Sequence, residues 1–102
     1  MRDITPQELH ALIESGKVHL IDVRESYEHD EFNIGGTNIP LGEIRLHLDE
    51  IRALSHDKEV ALYCRSGNRS AMAQKMLHQQ SGIDNTINLA GGLIAWKKET
   101  EA

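Results

Sequence analysis

The chain has 102 residues, an apolar content of 39% and a formal net charge of −5. This length fits one folded domain, which is expected over residues 1–102. The negative net charge argues against nucleic acid or a membrane surface as a partner. Any site that binds anions must therefore be a local concentration of positive charge. No signal peptide or membrane span is evident, and the single cysteine, Cys64, cannot form an internal disulfide, so we expect a cytoplasmic protein. The predicted helices are acidic and mostly polar and give no reason for a dimer, so we expect a monomer.

The predicted elements alternate between helix and strand. A capping box at Thr5 and Glu8, with Pro6 at the first helical position, begins the first helix, and Gly16 ends it. Apolar, β-branched runs predict the strands, and helical spacing of apolar residues predicts the helices. The expected elements that follow are a strand over 18–23, a loop with a short helix over 24–32, a short strand around 38–39, a helix over 43–54, a strand over 59–64, a helix over 70–80, a strand over 85–89 and a helix from 91.

Two of these helices have a predicted buried face. The helix over 43–54 is expected to bury Ile44, Leu48, Ile51 and Leu54. The helix over 70–80 is expected to bury Met72, Ala73, Met76 and Leu77. Strands alternating with helices indicate an α/β fold, in which helices cover both faces of a parallel sheet. Ligands bind beyond the carboxyl ends of the strands in such folds, and the strands ending near Asp22 and Cys64 bring those residues to that edge.

The loop Cys64-Arg65-Ser66-Gly67-Asn68-Arg69 is the most informative stretch. A loop that enters a helix from a strand directs its N–H groups into a concavity, and the positive end of the helix adds to the attraction for anions. Gly67 and Asn68 tolerate unusual backbone angles, and Arg65 and Arg69 add positive charge. A thiol in this setting ionises readily, so Cys64 is a candidate nucleophile and the five residues that follow it form a candidate substrate-binding loop.

Nucleophilic catalysis is not the only role that a single cysteine can have. A lone cysteine at a strand end is commonly a small buried hydrophobe, redox exchange needs a resolving cysteine, and the six scattered histidines lack the spacing of a metal site. Two thiolate reactions remain, attack on phosphorus and attack on the outer sulfur of a sulfane donor. The phosphatase signature places five residues between Cys and Arg, whereas four separate Cys64 from Arg69. The tighter cradle favours sulfur transfer.

The stretches LIDVRE, NIPLGEI, VALYCRSGNRSAMA and LAGGLIAW resemble, in this order, the landmarks of the single-domain rhodanese (thiosulfate sulfurtransferase) family. The resemblance runs from about Thr5 to Trp96 and implies a five-stranded parallel sheet with helices on both sides. It also implies that Cys64 takes sulfur from thiosulfate or a persulfide and passes it to cyanide or a thiol, with a protein acceptor possible and no cofactor or metal. In this family Arg69 would close the loop, and Arg65 would meet the sulfite end of the donor.

Supporting residues also follow from the resemblance. Asp22 and Arg24 match the family's DVR motif and, with Ser70, are expected to support the site, although a purely structural role for the DVR pair is an equal alternative. A salt bridge between Arg24 and Glu28 is expected. Asn33 stands where a histidine is common in the family.

The last of the four stretches is expected to be structural. Its paired glycines, Gly91 and Gly92, would let the backbone approach the loop, and Leu93 and Trp96 are expected in the core. Two other functions stay open at this point, a cysteine-dependent phosphatase or arsenate reductase, and a non-catalytic module that senses sulfide or recruits partners.

Overall fold

Five parallel strands form one sheet, in the spatial order β1-β5-β4-β2-β3. The computed structural model describes residues 1–101, and the side chains of residues 1–100. The strands are β1 (Arg2–Ile4), β2 (Val18–Asp22), β3 (Thr37–Asn38), β4 (Glu59–Tyr63) and β5 (Thr86–Leu89). The helices are α1 (Pro6–Glu14), α2 (Ser26–Glu31), α3 (Leu48–Asp57), α4 (Asn68–Ser81) and α5 (Gly92–Glu101), with a 3-10 helix at Leu41–His47. Among the described residues, no helix is both long enough and apolar enough to cross a membrane.

Helices cover both faces of the sheet, as predicted. On β4, Val60 and Leu62 belong to the core that α3 and α4 complete, whereas Ala61 and Tyr63 belong to the core that α1 and α5 complete. A strand that is buried on both faces has a nearly continuous apolar sequence, which is why this strand was easily predicted. The α/β fold with a five-stranded parallel sheet is therefore confirmed, as is the core position of Leu93 and Trp96.

The first strand was missed, whereas the first helix was predicted correctly. β1 has three residues, of which only Ile4 is buried, so it shows no hydrophobic alternation that could identify it. It is held instead by pairing with β5 at the edge of the sheet. The capping box of α1 forms as expected, since the N–H of Glu8 donates to the Thr5 hydroxyl at 3.2 Å and the N–H of Thr5 donates to the Glu8 carboxylate at 3.1 Å.

The helix predicted over 43–54 is wrong as a single element. The chain forms a 3-10 helix and then α3, with a break at His47, where φ is −120° and ψ is 20°. The N–H of Leu41 donates to the carbonyl of Val23 at 3.0 Å, which anchors the 3-10 helix beside the end of β2. Ile44 and Ile51 are both fully buried, so the apolar spacing was right although the backbone between them is not continuous.

The inner face of α4 also differs from the prediction. Met72 is 57% exposed, and the buried positions are held by Ser70, Ala73, Gln74 and Leu77. The Gln74 amide donates to the Thr86 carbonyl at 3.3 Å, which satisfies a polar group inside the core. The apolar pattern could not reveal that polar side chains would occupy this face of the helix, because their hydrogen-bond partners lie on the strands of the sheet.

The two central strands bring two chain segments together at one edge. β2 and β4 are parallel neighbours, with Asp22 in register with Tyr63. The residues that follow each strand therefore emerge side by side, and Cys64 lies at this carboxyl edge. The candidate site is built there.

Candidate active site

The Cys64 side chain is held at the end of β4 by hydrogen bonds from the loop that follows it. It is 1% exposed, its Sγ accepts from the N–H of Gly67 at 3.1 Å, and it lies 3.4 Å from the Ser70 hydroxyl oxygen. Burial raises the pKa of the thiol, but hydrogen bonds from the Ser70 side chain and from the N–H groups of Ser70, Gly67 and Ser66 outweigh it. The pKa therefore lies below its ordinary value, which favours the reactive thiolate.

Gly67 provides the turn that closes the loop on the sulfur. Its φ is +99°, in the region that favours glycine, and it forms the N-cap of α4. Asn68 tolerates a left-handed backbone but does not adopt one: it is the first residue of α4, and every positive φ among the described residues belongs to a glycine. One left-handed residue is therefore enough to direct the loop amides at Cys64.

The start of α5 packs directly against this loop. A Cβ at Gly92 would lie 2.4 Å from the carbonyl oxygen of Arg65 and 2.7 Å from that of Cys64. The N–H of Leu93 donates to the carbonyl of Cys64 at 2.9 Å, and the N–H of Ile94 donates to the carbonyl of Arg65 at 3.1 Å. The predicted close approach of the glycine-containing backbone is confirmed, and it fixes the carbonyl side of the loop.

Asn88 is a buried residue of the site that the sequence analysis missed. Its side-chain oxygen forms a hydrogen bond with the Ser70 hydroxyl. Its Nδ2 donates to the Gly67 carbonyl at 3.4 Å and to the Asp3 carboxylate at 3.2 Å. The available signal was an amide inside a strand predicted to be apolar, because a buried polar group generally has a hydrogen-bond partner. Asn88 thus connects β5 to the loop and to the hydroxyl beside Cys64.

The carboxylate of Asp22 organises the neighbouring segment. It is fully buried and accepts from the backbone N–H of Arg24 at 3.0 Å and from its guanidinium at 2.7 to 3.1 Å. The ring Nδ1 of His29 lies 2.9 Å from the same carboxylate. Arg24 also donates to the carbonyl of Phe32 at 2.5 Å. Asp22 therefore holds the start and the end of the segment that carries α2.

The predicted salt bridge between Arg24 and Glu28 is wrong. Arg24 pairs with Asp22, a buried charge that needs a counter-charge, and Glu28 binds Arg69 through both carboxylate oxygens at 2.7 and 3.0 Å. The hydrogen bond from Arg69 lowers the pKa of Glu28 to about 2, and Glu28 in turn raises the pKa of Arg69. The arginine at the end of the loop is consequently fastened to α2.

Asn33 makes local contacts rather than a contact with the sulfur. Its amide donates to the carbonyl of His29 at 2.9 Å and accepts from the N–H of Gly35 at 2.9 Å. The histidine that reaches Asp22 is His29, which stands four residues earlier in the chain. Sequence reasoning had assigned His29 no role.

A cleft of about 550 Å³ opens beside the loop, and we refer to it as the Arg65 cleft. Its walls are formed by Arg24, Tyr27, Glu28, Glu31, Phe32, Arg65, Leu93, Ile94, Lys97 and Lys98. Three residues of the loop are exposed to solvent: Arg65, Ser66 and Asn68. Of these three, only Arg65 lines the cleft. Among the described residues, no group of three or more His, Cys, Asp or Glu side chains is arranged to hold a metal ion.

The structure therefore brings together most of the predicted residues. The sulfur accepts a hydrogen bond from the N–H of Gly67 and lies beside the Ser70 hydroxyl, and Arg65 lines the neighbouring cleft. Such an arrangement can stabilise an anion on sulfur and accept an anionic reactant from the cleft. Arg24 lines the cleft and is held by the buried Asp22, and neither side chain forms a hydrogen bond with Cys64 among the contacts of residues 1–100.

Comparison with known proteins identifies relatives across nearly the whole chain. The model of the rhodanese-like domain family matches residues 5–99. A sulfurtransferase of Allochromatium vinosum is 36% identical over 88 residues, which cover 85% of this chain and 78% of that protein. The structure of the human single-domain sulfurtransferase TSTD1 matches with a TM-score of 0.79 and 28% identity, over 95% of this chain and 96% of that one. The MoeZ protein of Mycobacterium tuberculosis is 34% identical over 99 residues, or 96% of this chain, which spans a quarter of MoeZ.

Proposed function

The chain belongs to the family of rhodanese-like domains, among which it has sulfurtransferase relatives, and we propose that it transfers a sulfane sulfur through a persulfide on Cys64. One observation carries this proposal most directly. The Cys64 sulfur accepts an N–H hydrogen bond from Gly67 in a loop that ends at Arg69, with four residues between Cys64 and Arg69. The loop can thus stabilise a charged sulfur in a cradle smaller than the phosphatase signature provides.

In the first step the Cys64 thiolate attacks the outer sulfur of thiosulfate or of a persulfide donor. With thiosulfate, a bond forms between the two sulfurs, the bond between the outer sulfur and the sulfite group breaks, and sulfite leaves with the electron pair. Charge balances, because a thiolate and a dianion give a persulfide anion and a dianion. Only 1% of Cys64 is exposed, so a small donor that presents its outer sulfur end on fits best.

The residues around Cys64 have complementary roles in this step. The N–H of Gly67 and the Ser70 hydroxyl stabilise the thiolate before the attack, and the exposed guanidinium of Arg65 is placed to attract the anionic donor. Ser66, Asn68 and Arg69 complete the binding loop in this proposal. The thiolate needs no general base once it is formed, because the reaction moves no proton to or from the attacking sulfur.

In the second step an acceptor removes the outer sulfur. Cyanide or a thiolate attacks that atom, the bond between the two sulfurs breaks, and Cys64 leaves as the thiolate with which the cycle began. The products are thiocyanate or a new persulfide. No external oxidant or reductant is required, since each step exchanges one bond to sulfur for another.

Steady-state kinetics with thiosulfate and cyanide test this proposal. Thiocyanate should form, and double-reciprocal plots at several cyanide concentrations should be parallel, as a two-step mechanism through a modified enzyme requires. Cys64→Ser should form none. Aryl phosphate supplies the opposing assay: hydrolysis of p-nitrophenyl phosphate together with absence of thiocyanate would overturn the proposal in favour of a phosphatase.

A further inference from the structure

Three exposed apolar side chains line the Arg65 cleft, although most large hydrophobic residues of this chain are buried. Tyr27, Phe32 and Ile94 are 65%, 40% and 41% exposed, and all three line this cleft. They are half of the large hydrophobic residues that are exposed among the described residues, the others being Met1, Leu46 and Met72. Exposed apolar side chains that line one concave site indicate a surface that binds a partner rather than one that contacts only solvent.

The charge of the cleft is opposite in sign to that of the chain. Arg24 and Glu28 on its walls are each paired, with Asp22 and Arg69 respectively. The remaining charged residues on the walls are Arg65, Lys97, Lys98 and Glu31. No salt bridge joins any of the three cations, Arg65, Lys97 and Lys98, to a side chain of residues 1–100. A chain with a net charge of −5 thus presents a locally cationic surface that includes Arg65, the residue next to the proposed nucleophile Cys64.

Lys97 connects the apolar and the charged parts of the surface. Its ammonium nitrogen lies 4.4 Å from the centre of the Phe32 ring, a cation–π contact that holds the charge over the cleft wall. A carboxylate bound there would meet a positioned cation next to an aromatic surface. The volume of about 550 Å³ is far larger than thiosulfate needs and suits a short peptide segment.

We propose that the Arg65 cleft docks acidic segments of acceptor proteins, in which an acceptor thiol is flanked by carboxylates and apolar residues. This inference rests on the proposed function and specifies its acceptor class. The carboxylates would bind Arg65, Lys97 and Lys98, and the apolar residues would pack on Tyr27, Phe32 and Ile94. The bound acceptor thiolate attacks the outer sulfur of the Cys64 persulfide, and Cys64 leaves as the thiolate, so the acceptor becomes the persulfide.

Two model acceptors test the charge preference. One is a hexapeptide with a central cysteine between two leucines and three glutamates at the remaining positions, and the other carries lysines in place of the glutamates. The enzyme is first loaded with thiosulfate and its persulfide content is measured by mass, so that only the transfer step is compared. At about 0.1 M salt, where charges act over about 10 Å, we expect a preference for the acidic peptide on the order of tenfold.

A matched pair of double variants separates the cleft from the overall charge. Lys97→Glu with Lys98→Glu should remove or reverse the preference. Lys17→Glu with Lys75→Glu makes the same change in net charge at two exposed residues outside the cleft, one before β2 and one on α4, and should keep the preference. Because lysines lower and glutamates raise the pKa of a peptide thiol, the informative quantity is the ratio of the two rates in each variant relative to wild type.

A binding measurement distinguishes failure of docking from failure of the chemistry. Fluorescein-labelled peptides with serine in place of cysteine are titrated with unmodified enzyme, and anisotropy is recorded. Acidic-peptide binding that weakens in the Lys97/Lys98 variant but not in the Lys17/Lys75 variant supports docking even if thiosulfate fails to load Cys64. Equal affinity for both peptides, or equal losses in both double variants, would overturn the inference while leaving sulfur transfer itself intact.

Discussion

The two carboxylate oxygens of Glu28 hold the two terminal guanidinium nitrogens of Arg69 at 2.7 and 3.0 Å. This pair joins α2 to the end of the loop that surrounds Cys64, across 41 residues of sequence. It also explains why Arg69 is not a free cation at the site. The geometry of the loop therefore depends on a carboxylate that lies outside it.

The Glu28–Arg69 pair should make stability depend on pH at the acid end. The folded pKa of Glu28 is about 2 against an ordinary value of 4.5, so its contribution is fully present above pH 4.5 and is lost as the pH falls towards 2. Since the pair is partly exposed, Glu28→Gln should lower the free energy of unfolding at pH 7 by about 1 kcal/mol or less. Urea unfolding at pH 7, 4.5, 3 and 2 checks this, and a wild-type advantage that persists unchanged at pH 2 would refute it.

The single hydroxyl proton of Ser70 has three acceptors within reach, the Cys64 sulfur, the Asn88 side-chain oxygen and the Gly67 carbonyl, and it can be donated to only one of them at a time. The Asn88 Nδ2 donates to two acceptors, so its oxygen faces Ser70 and competes with the sulfur for that proton. We therefore expect opposite effects: Ser70→Ala should raise the pKa of the Cys64 thiol, and Asn88→Leu should lower it. The rate of iodoacetamide alkylation against pH measures both pKa values.

The double variant of Ser70 and Asn88 provides the control for this competition. Once Ser70 is alanine, Asn88→Leu should no longer change the pKa of Cys64, because the contested proton is gone. Circular dichroism must show folded protein in each case. If Asn88→Leu slows alkylation at neutral pH, as Ser70→Ala does, then Asn88 assists ionisation and the competition is disproved.

The close approach of α5 to the loop predicts a strong effect of a single methyl group. Gly92 and Gly82 have nearly the same φ, +60° and +64°, but only at Gly92 would a Cβ meet other atoms, the nearest at 2.4 Å. Gly82→Ala should cost about 1–2 kcal/mol of stability for its backbone alone, and Gly92→Ala about 1–3 kcal/mol more for the overlap. Equal costs in urea unfolding would show that the loop and α5 separate without penalty.

Asp22 should matter more for stability than any surface carboxylate. Asp22→Asn leaves the guanidinium of Arg24, which is 6% exposed, without its counter-charge, and should cost about 3–5 kcal/mol. The control is Asp57→Asn, at an exposed carboxylate 2.8 Å from His19, for which about 1 kcal/mol or less is expected. Thermal unfolding compares the two. An unchanged rate of Cys64 alkylation in folded Asp22→Asn would assign the pair a purely structural role.

The sequence was informative where an element is specified by residues close together in the chain. The capping box of α1, the apolar run of β4 and the loop after Cys64 are all local patterns, and the structure contains each of them. The four-residue spacing between Cys64 and Arg69 was likewise visible without any coordinates. These features were enough to place Cys64, the proposed nucleophile, at the carboxyl edge of the sheet.

The wrong or missing predictions concern side-chain contacts between residues that only the tertiary structure brings together. Glu28 is near Arg24 in sequence, yet it binds Arg69, because Asp22 is buried beside Arg24 and takes that partner. Asn88 reaches the loop only because β5 lies next to β4 in the sheet. Side-chain pairs of this kind depend on which helices and strands become neighbours. Hydrophobic periodicity predicts the helices and strands but not which of them pack together.

The most direct test of the account is the mass of the intact protein after incubation with thiosulfate and removal of excess reagent. The account predicts that wild type gains one sulfur atom, that cyanide then removes it with release of thiocyanate, and that Cys64→Ser gains none. The same gain in Cys64→Ser, or no gain in wild type under conditions where alkylation shows Cys64 to be reactive, would contradict a persulfide on Cys64 as the carrier of sulfur.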